Sequence, residues 1–258
     1  MTRYWWSLLP DLTRREIRSR LINTSSGWLW LVVSPLLLLG VYALVFGYIF
    51  QARVPATLDV PFIAWLAIAL WPWLAFSESV LKGSGAILQH AGLIAKVAMP
   101  RELLVISSQS AVFLLHLLGF SVVLLTIELT GTRLTWQGMP YAVLIMATLY
   151  GFAVGLGLLL SAVQVFIRDL EQLLPSLMML WFFMTPILYP AELLPSFLSG
   201  WMVLNPMNWW VGEVRAAVFE GKWLPDLGFL LLLVVAAASL ALGYAVFSRL
   251  SHRFEDFL

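Results

Sequence analysis

The chain has 258 residues, 61% of them hydrophobic and 11% charged, with a mean hydropathy of +0.91. Soluble domains carry roughly 45–50% apolar and about 25% charged residues, so a soluble enzyme is excluded and lipid must be the solvent. Cysteine is absent, which excludes disulfide scaffolds, thiolate metal sites and cysteine nucleophiles, and the net charge of +1 says less than where the charges lie.

A helix crosses the hydrocarbon with about 20 apolar residues, so the length accommodates roughly six spans. The chain opens on a basic head, residues 1–27, holding Arg3, Arg14, Arg15, Arg18 and Arg20. That head is too long and too charged for a cleaved signal peptide and reads as retained. Thr13 and Glu16 stand at capping-box spacing after Pro10, which predicts a short helix over residues 12–22. Trp5, Leu8 and Leu12 cluster while Ile17 and Leu21 project elsewhere, so an interfacial helix is expected without a clean apolar face.

Six spans follow, at residues 28–50, 61–81, 103–129, 141–167, 174–189 and 227–247. The fifth is short, and Pro72 is expected to kink the second because it frees a carbonyl. With the N-terminus inside, Arg3, Arg14, Arg15, Arg18, Arg20, Lys82, Lys96, Arg101, Arg168, Arg249 and Arg253 are cytoplasmic. Arg53, Arg133, Arg215 and Lys222 are outside, an 11 to 4 split of the basic residues. Basic loops resist translocation, so the asymmetry predicts both termini in the cytoplasm.

Two connections are long enough to have a task. Residues 82–102 are cytoplasmic and contain Gly83, Gly85, His90, Gly92, Lys96 and Pro100. Residues 190–226 are external and carry Trp201, Trp209, Trp210 and Trp223 where a solvated loop would be polar. Such a segment is expected at the interface or dipping back into the membrane as re-entrant helices. Trp28 and Trp30, at a span end, read as belt residues.

The chemistry of catalysis is missing. Gly221-Lys222 is followed by Trp223 with no glycine five residues before Gly221, so no phosphate-binding loop can form. His90, His116 and His252 lie in three separate segments, without metal-ligand spacing. Glu78 and Glu128 fall at span ends and only His116 lies deep, either as a neutral imidazole bonded to a neighbouring helix or as a proton relay.

Aromatic residues are more informative. Tyr42, Phe46 and Phe50 repeat at helical spacing in the first span, and Phe182 and Tyr189 share a face of the fifth with Thr185 between them. Such rings either fill helix contacts or face a pore, where they stack on sugars without gripping them. Gly151 and Gly155 form a GxxxG pair that favours close helix packing.

Several ordered motifs run along the chain: Arg18-x-Arg20 before Gly27-Trp28-Leu29-Trp30 and Ser34-Pro35; residues 91–96, Ala-Gly-Leu-Ile-Ala-Lys, before Pro100-Arg101-Glu102; Phe166-Ile167-Arg168-Asp169; residues 185–190, Thr-Pro-Ile-Leu-Tyr-Pro; and Asn205-Pro206 with Arg215. In this order they resemble the permease subunits of type-2 ABC transporters that export O-antigen, capsule or teichoic acid polysaccharides. Members often carry a basic residue and Gly-Ser where this chain has Ile22, Asn23 and Thr24, a departure that leaves any headgroup or substrate contact there in question.

The resemblance implies a single all-α permease domain over residues 1–258, with six spans, an N-terminal interfacial helix, a cytoplasmic coupling helix and re-entrant external gate helices before the last span. It implies a homodimer in the bacterial inner membrane, among membrane lipids, moving a lipid-linked polysaccharide. No cofactor is expected in this chain and no nucleic acid. ATP and Mg would be bound by a separate ABC ATPase that docks near Leu93, Lys96, Pro100, Arg101 and Glu102, with Arg168 and Asp169 supporting the junction. Asp169 could equally be an ordinary helix cap. Tyr42, Phe46, Phe50, Phe182 and Tyr189 would line the path. Asn205 and Pro206 would break the gate helices, and Glu213 and Arg215 would bind substrate hydroxyls or pair with each other. Alternatives are a type-2 exporter of a drug or lipid and a membrane-embedded transferase.

Overall fold

A computed structural model describes residues 7–22, 27–52, 54–55, 58–193, 200, 202–254 and 257, and every regular element among them is helical. Helix α1 is Leu9–Ile22, and α2, Gly27–Tyr42, continues into a π-helical stretch at Ala43–Ile49. Then come α3, Phe62–Ser84, and two single turns, α4 at Ala86–Gln89 and α5 at Ala91–Ile94. Two 28-residue helices follow, α6 at Glu102–Leu129 and α7 at Met139–Phe166. The remaining elements are α8, Leu170–Phe183, α9, Pro206–Phe219, and α10, Leu227–Ser251.

Four helices among the described residues are long and apolar enough to cross a membrane: α3, α6, α7 with its preceding turn from Trp136, and α10. The first and fifth expected spans are shorter apolar helices, Val33–Ile49 and Leu170–Phe183. At 1.5 Å per residue the 14 residues of α8 extend about 21 Å, short of a hydrocarbon core of about 30 Å. Beyond it, Thr185 to Pro190 leaves helical geometry, where Pro186 and Pro190 cannot supply helical donors.

Helix α3 is the centre post. Leu66, Ile68, Ala69, Leu70, Ala75, Phe76 and Val80 are fully buried between α6, α7 and α9, and the helix runs unbroken through Pro72. By contrast α10 shows Leu230, Leu233, Val234 and Leu242 outward. Both helices are apolar on all sides, which fits a bundle whose centre is protein and whose surroundings are lipid.

The tightest seam joins α7 to α10. A Cβ placed on Gly243 would lie 2.0 Å from the Gly155 carbonyl oxygen, and one on Gly155 would lie 2.3 Å from the Ser239 backbone. The GxxxG pair therefore brings two helices of the same chain together, with Gly151 against Leu240 and Ala236.

Helix α1 differs from its expectation. It starts at Leu9, so Thr13 and Glu16 lie inside the helix and form no capping box. Pro10 lies in the first turn of the helix instead of preceding it, because its fixed φ and missing N–H suit that position. Thr13 is buried, and α1 packs along α6. Trp5, Asn23, Thr24, Arg53 and Trp201 lie outside the described residues, as do the side chains of Leu21, Ile22, Trp28 and Trp30.

Candidate translocation and coupling sites

Two charged contacts fasten α1 to the bundle. Glu16 and Arg20 are one helical turn apart and therefore share a face. Glu16 Oε1 is 3.0 Å from His90 Nε2, and Arg20 Nη1 donates to Glu78 Oε1 at 2.6 Å. The other ring nitrogen of His90, Nδ1, faces the Ala86 carbonyl at 2.8 Å. Both acceptors lack protons, so only the imidazolium satisfies them together. The hydrogen bond from His90 holds the Glu16 carboxyl below its ordinary pKa, and the same bond raises His90 above 6.5. Glu78 also receives His116 Nε2 at 2.7 Å, joining α1, α3 and α6 in one network. His116 thus bonds to a neighbouring helix, and Glu78 is its partner.

The connection between α3 and α6 is structured. Helix α3 runs past Lys82 to Ser84, and the two single turns α4 and α5 follow, with His90 between them. Leu93 is half-buried on α5, while Lys96 is exposed beyond it. A cavity of about 900 Å³ opens beside Lys96, Pro100, Arg101 and Glu102, and Ser251 and His252 from the end of α10 close its other side. Arg101 Nη1 donates to the Ser251 carbonyl, and its guanidinium stands 5.9 Å from the centre of the Phe254 ring. Across the same face, Arg168 Nη2 donates to the Phe257 carbonyl at 3.3 Å. Asp169 occupies the N-cap of α8 but its side chain makes no capping bond and is exposed.

Four of the five aromatic residues expected to line the path come together. Tyr42 stacks on Phe182 at 5.5 Å, Phe46 meets Tyr42 edge-on at 6.2 Å and Phe50 meets Phe46 at 5.7 Å. The wider π-helical turn carries Phe46, and the ladder ends at Phe50, which is 67% exposed. At the other end Phe182 is buried against Trp73, 5.7 Å away. A cavity of about 200 Å³ lies there between Tyr42, Trp73, Ser77, Met178 and Phe182. Tyr189 is not in the ladder; its hydroxyl donates to the Phe183 carbonyl at 2.7 Å.

Between α8 and α10, Asn205 leaves helical geometry before Pro206 and caps α9, its Oδ1 accepting from Met207 N at 3.1 Å. The same oxygen accepts from Trp181 Nε1 at 2.8 Å, while Nδ2 donates to the Met184 carbonyl and to Thr185 Oγ1. One side chain thus sews α9 to the end of α8. Trp210 is fully buried, donating to Thr148 Oγ1 at 3.0 Å, whereas Trp223 is exposed.

Glu213 and Arg215 do not pair with each other. Two residues apart on a helix, they point in different directions. Glu213 accepts from the Tyr141 hydroxyl at 2.7 Å and from Lys222 at 2.8 Å. Arg215 donates to the Pro186 and Ile187 carbonyls at 2.9 and 3.1 Å and to Trp65 O at 3.4 Å, with its guanidinium 3.4 Å above the Trp65 ring. The Pro186 and Ile187 carbonyls are open because they lie beyond the end of α8, where Pro190 has no N–H to offer the Pro186 carbonyl. Lys222 also reaches Asp226, whose carboxylate caps α10 through Phe229 N; the Lys222 bond holds the Asp226 carboxyl below its ordinary range.

The sequence pointed to the helically spaced rings of Tyr42, Phe46 and Phe50, to the Asn205-Pro206 break and to a short structured element between Lys82 and Glu102. It missed the Glu16–His90 pair, the Arg20–Glu78–His116 network and the tie of Arg101 and Arg168 to the segment after α10. The one usable signal was the i, i+4 spacing of Glu16 and Arg20, which puts an acid and a base on one face of α1.

An all-helical bundle of apolar spanning helices, with a structured charged loop on one side and a capped, tryptophan-rich segment on the other, defines a polytopic membrane protein. The family model described as ABC-2 type transporter matches residues 10–219, and the chain belongs to that family. Among curated relatives, the O-antigen export system permease protein RfbA of Myxococcus xanthus is 32% identical over 252 residues, covering 97% of this chain and 94% of the relative. A protein of the same name from Klebsiella pneumoniae is 26% identical, covering 99% of this chain and 96% of its own length. The polysialic acid transport protein KpsM of Escherichia coli is 25% identical over 90% of this chain and 89% of that protein.

Proposed function

We propose that this chain is the transmembrane subunit of an ATP-driven exporter that moves a lipid-linked polysaccharide across the bacterial inner membrane. The observation that carries the reading is the similarity along 97% of the chain to a relative named as an O-antigen export permease. The chain itself is not the enzyme: ATP and Mg bind a separate ABC ATPase, which docks on the coupling region around Leu93, Lys96, Pro100, Arg101 and Glu102. The basic residues on that side agree with both termini being cytoplasmic.

Two copies form the exporter. Closure of the ATPase pair pushes the coupling regions and rocks the two permeases about their shared face, with the first and fifth expected spans, now α2 and α8, lining the conduit. The segment bearing Asn205, Pro206, Glu213 and Arg215 closes the external exit. A neutral polymer needs weak, repeated contacts, because a deep site would stall it. Tyr42, Phe46 and Phe50 supply rings at one-turn intervals along that surface, backed by the buried Phe182.

The test is export of polymer from proteoliposomes holding the chain and its ATPase. Alanine at both Phe46 and Phe50 is expected to lower polymer export severalfold while ATP hydrolysis continues. Unimpaired export overturns the lining assignment, and failure of the chain to associate with any ABC ATPase overturns the function.

A further inference from the structure

Beyond α10, Phe254 and Phe257 turn back onto the bundle. Phe254 is fully buried in a small core on the cytoplasmic side, with Ala86 and Ile87 of α4, Val105 of α6, and Leu158, Ala162 and Val165 among the α7 residues. Its ring meets Phe247 edge-on at 5.5 Å and Phe166 at 6.2 Å. Arg101, from the coupling loop, grips the same place through the Ser251 carbonyl and the Phe254 ring. Further on, Phe257 packs on Phe166 at 4.8 Å and accepts from Arg168 in the connection between α7 and α8.

We propose that this segment is a tie that makes the coupling region and the α7–α8 connection one mechanical body, with Phe254 and Arg101 as its positioning residues. The two cytoplasmic loops are separated in sequence by α6 and α7, and polar pairing alone between exposed loops would hold them weakly. A buried phenylalanine shared by α4, α6 and α7 holds them through close packing, which does not yield gradually. Displacement of the coupling loop is then passed to Arg168 and to the start of α8. That helix carries Phe182, whose ring stacks on Tyr42. The consequence for transport rests on the exporter reading, whereas the tie itself does not.

Because the chain has no cysteine, two introduced labels report cleanly. Spin labels at Ala98→Cys and Gln172→Cys, both exposed positions, are measured in nanodiscs with labelled chain diluted into an excess of unlabelled chain. The expected result is one narrow distance in the otherwise native chain, unchanged when the ATPase and a non-hydrolysable ATP analogue are added. Phe254→Ala should broaden it, Phe254→Leu should largely restore it, and export per ATP hydrolysed should fall severalfold in the alanine variant only. If Phe254→Ala does not fold, Arg101→Ala must broaden the same distance. A distance that shifts with nucleotide in the unsubstituted chain, or broadening by none of these variants, overturns the tie. Failure of the exporter reading appears differently, as no ATPase bound, and leaves the measurements on the chain alone decisive.

Discussion

Glu16 and His90 are 74 residues apart in the sequence and 3.0 Å apart in the fold, so the helix that opens the bundle is fastened directly to the element expected to receive the ATPase. A movement at α4 and α5 must therefore either carry α1 with it or break this pair.

The pair makes the attachment of α1 depend on pH. His90 is raised above its ordinary 6.5, so its contribution is complete below 6.5 and lost as pH rises through the higher folded value. Glu16 is lowered below 4.5, so its contribution is complete above 4.5 and lost as pH falls through the lower folded value. The attachment is therefore firmest between those two ordinary values. Spin labels at Ser19→Cys and Ala95→Cys should give one narrow distance there and a broader distribution well above 6.5. His90→Gln should show the broad form at both. Identical distributions at both pH values in the native chain would sink the idea.

Arg215 clamps α9 to α3 and to the stretch after α8. Its guanidinium satisfies carbonyls left open around Pro186 while lying on Trp65, so Arg215→Ala leaves acceptors unpaired and removes the stacked cation. The loss should be about 3 kcal/mol in thermal or denaturant unfolding, and Arg215→Lys should recover less than half, since an ammonium cannot reproduce the planar fork. A variant of unchanged stability with weakened polymer binding would return Arg215 to the substrate.

How much of this was readable beforehand follows from what each feature depends on. The spans at residues 61–81 and 103–129 lie within a few residues of α3 and α6, because a membrane helix is written in an unbroken apolar length. The Asn205-Pro206 break was legible for a similar local reason, as proline disfavours helix at the residue before it. The fifth span came out shorter because Pro186 and Pro190 end a run that composition alone would continue. Arg101 and Arg168 read as residues of an ATPase junction and Glu16 as half of a capping box, and only the fold supplies their partners: the carbonyl that ends α10, another beyond it, and a histidine between α4 and α5. Such pairs leave no periodicity in the sequence, and the apolar stripe of a helix does not say which neighbour it meets.

The seam between α7 and α10 gives a sharp packing test. A methyl group at Gly243 would sit 2.0 Å from the Gly155 carbonyl oxygen, on backbone that cannot swing aside. Gly243→Ala should therefore push the helices apart and destabilise the chain by about 2 kcal/mol or more. Gly40, also within a helix, has open space where an added methyl would go, with nothing within 4 Å, and Gly40→Ala should be neutral or stabilising by about 0.5–1 kcal/mol. Unfolding of the two variants side by side decides it, and equal stability would mean the seam is looser than its geometry.

The aromatic ladder makes opposite demands at its two ends. Phe182 is 5% exposed against Trp73 and Tyr42, so Phe182→Ala empties a packed position and should cost about 3–5 kcal/mol of stability before any effect on transport is considered. Phe50 is 67% exposed and touches the ladder only through Phe46, so Phe50→Ala should leave stability within about 0.5 kcal/mol. If the rings serve the passage of sugars, Phe50→Ala lowers polymer export without changing the unfolding curve. Phe50→Tyr or Phe50→Trp, which keep a ring face, should preserve export, while Phe50→Leu, similar in bulk but without one, should not. Export that follows apolar volume at this position, and not the presence of a ring, would show that the ladder is packing from end to end.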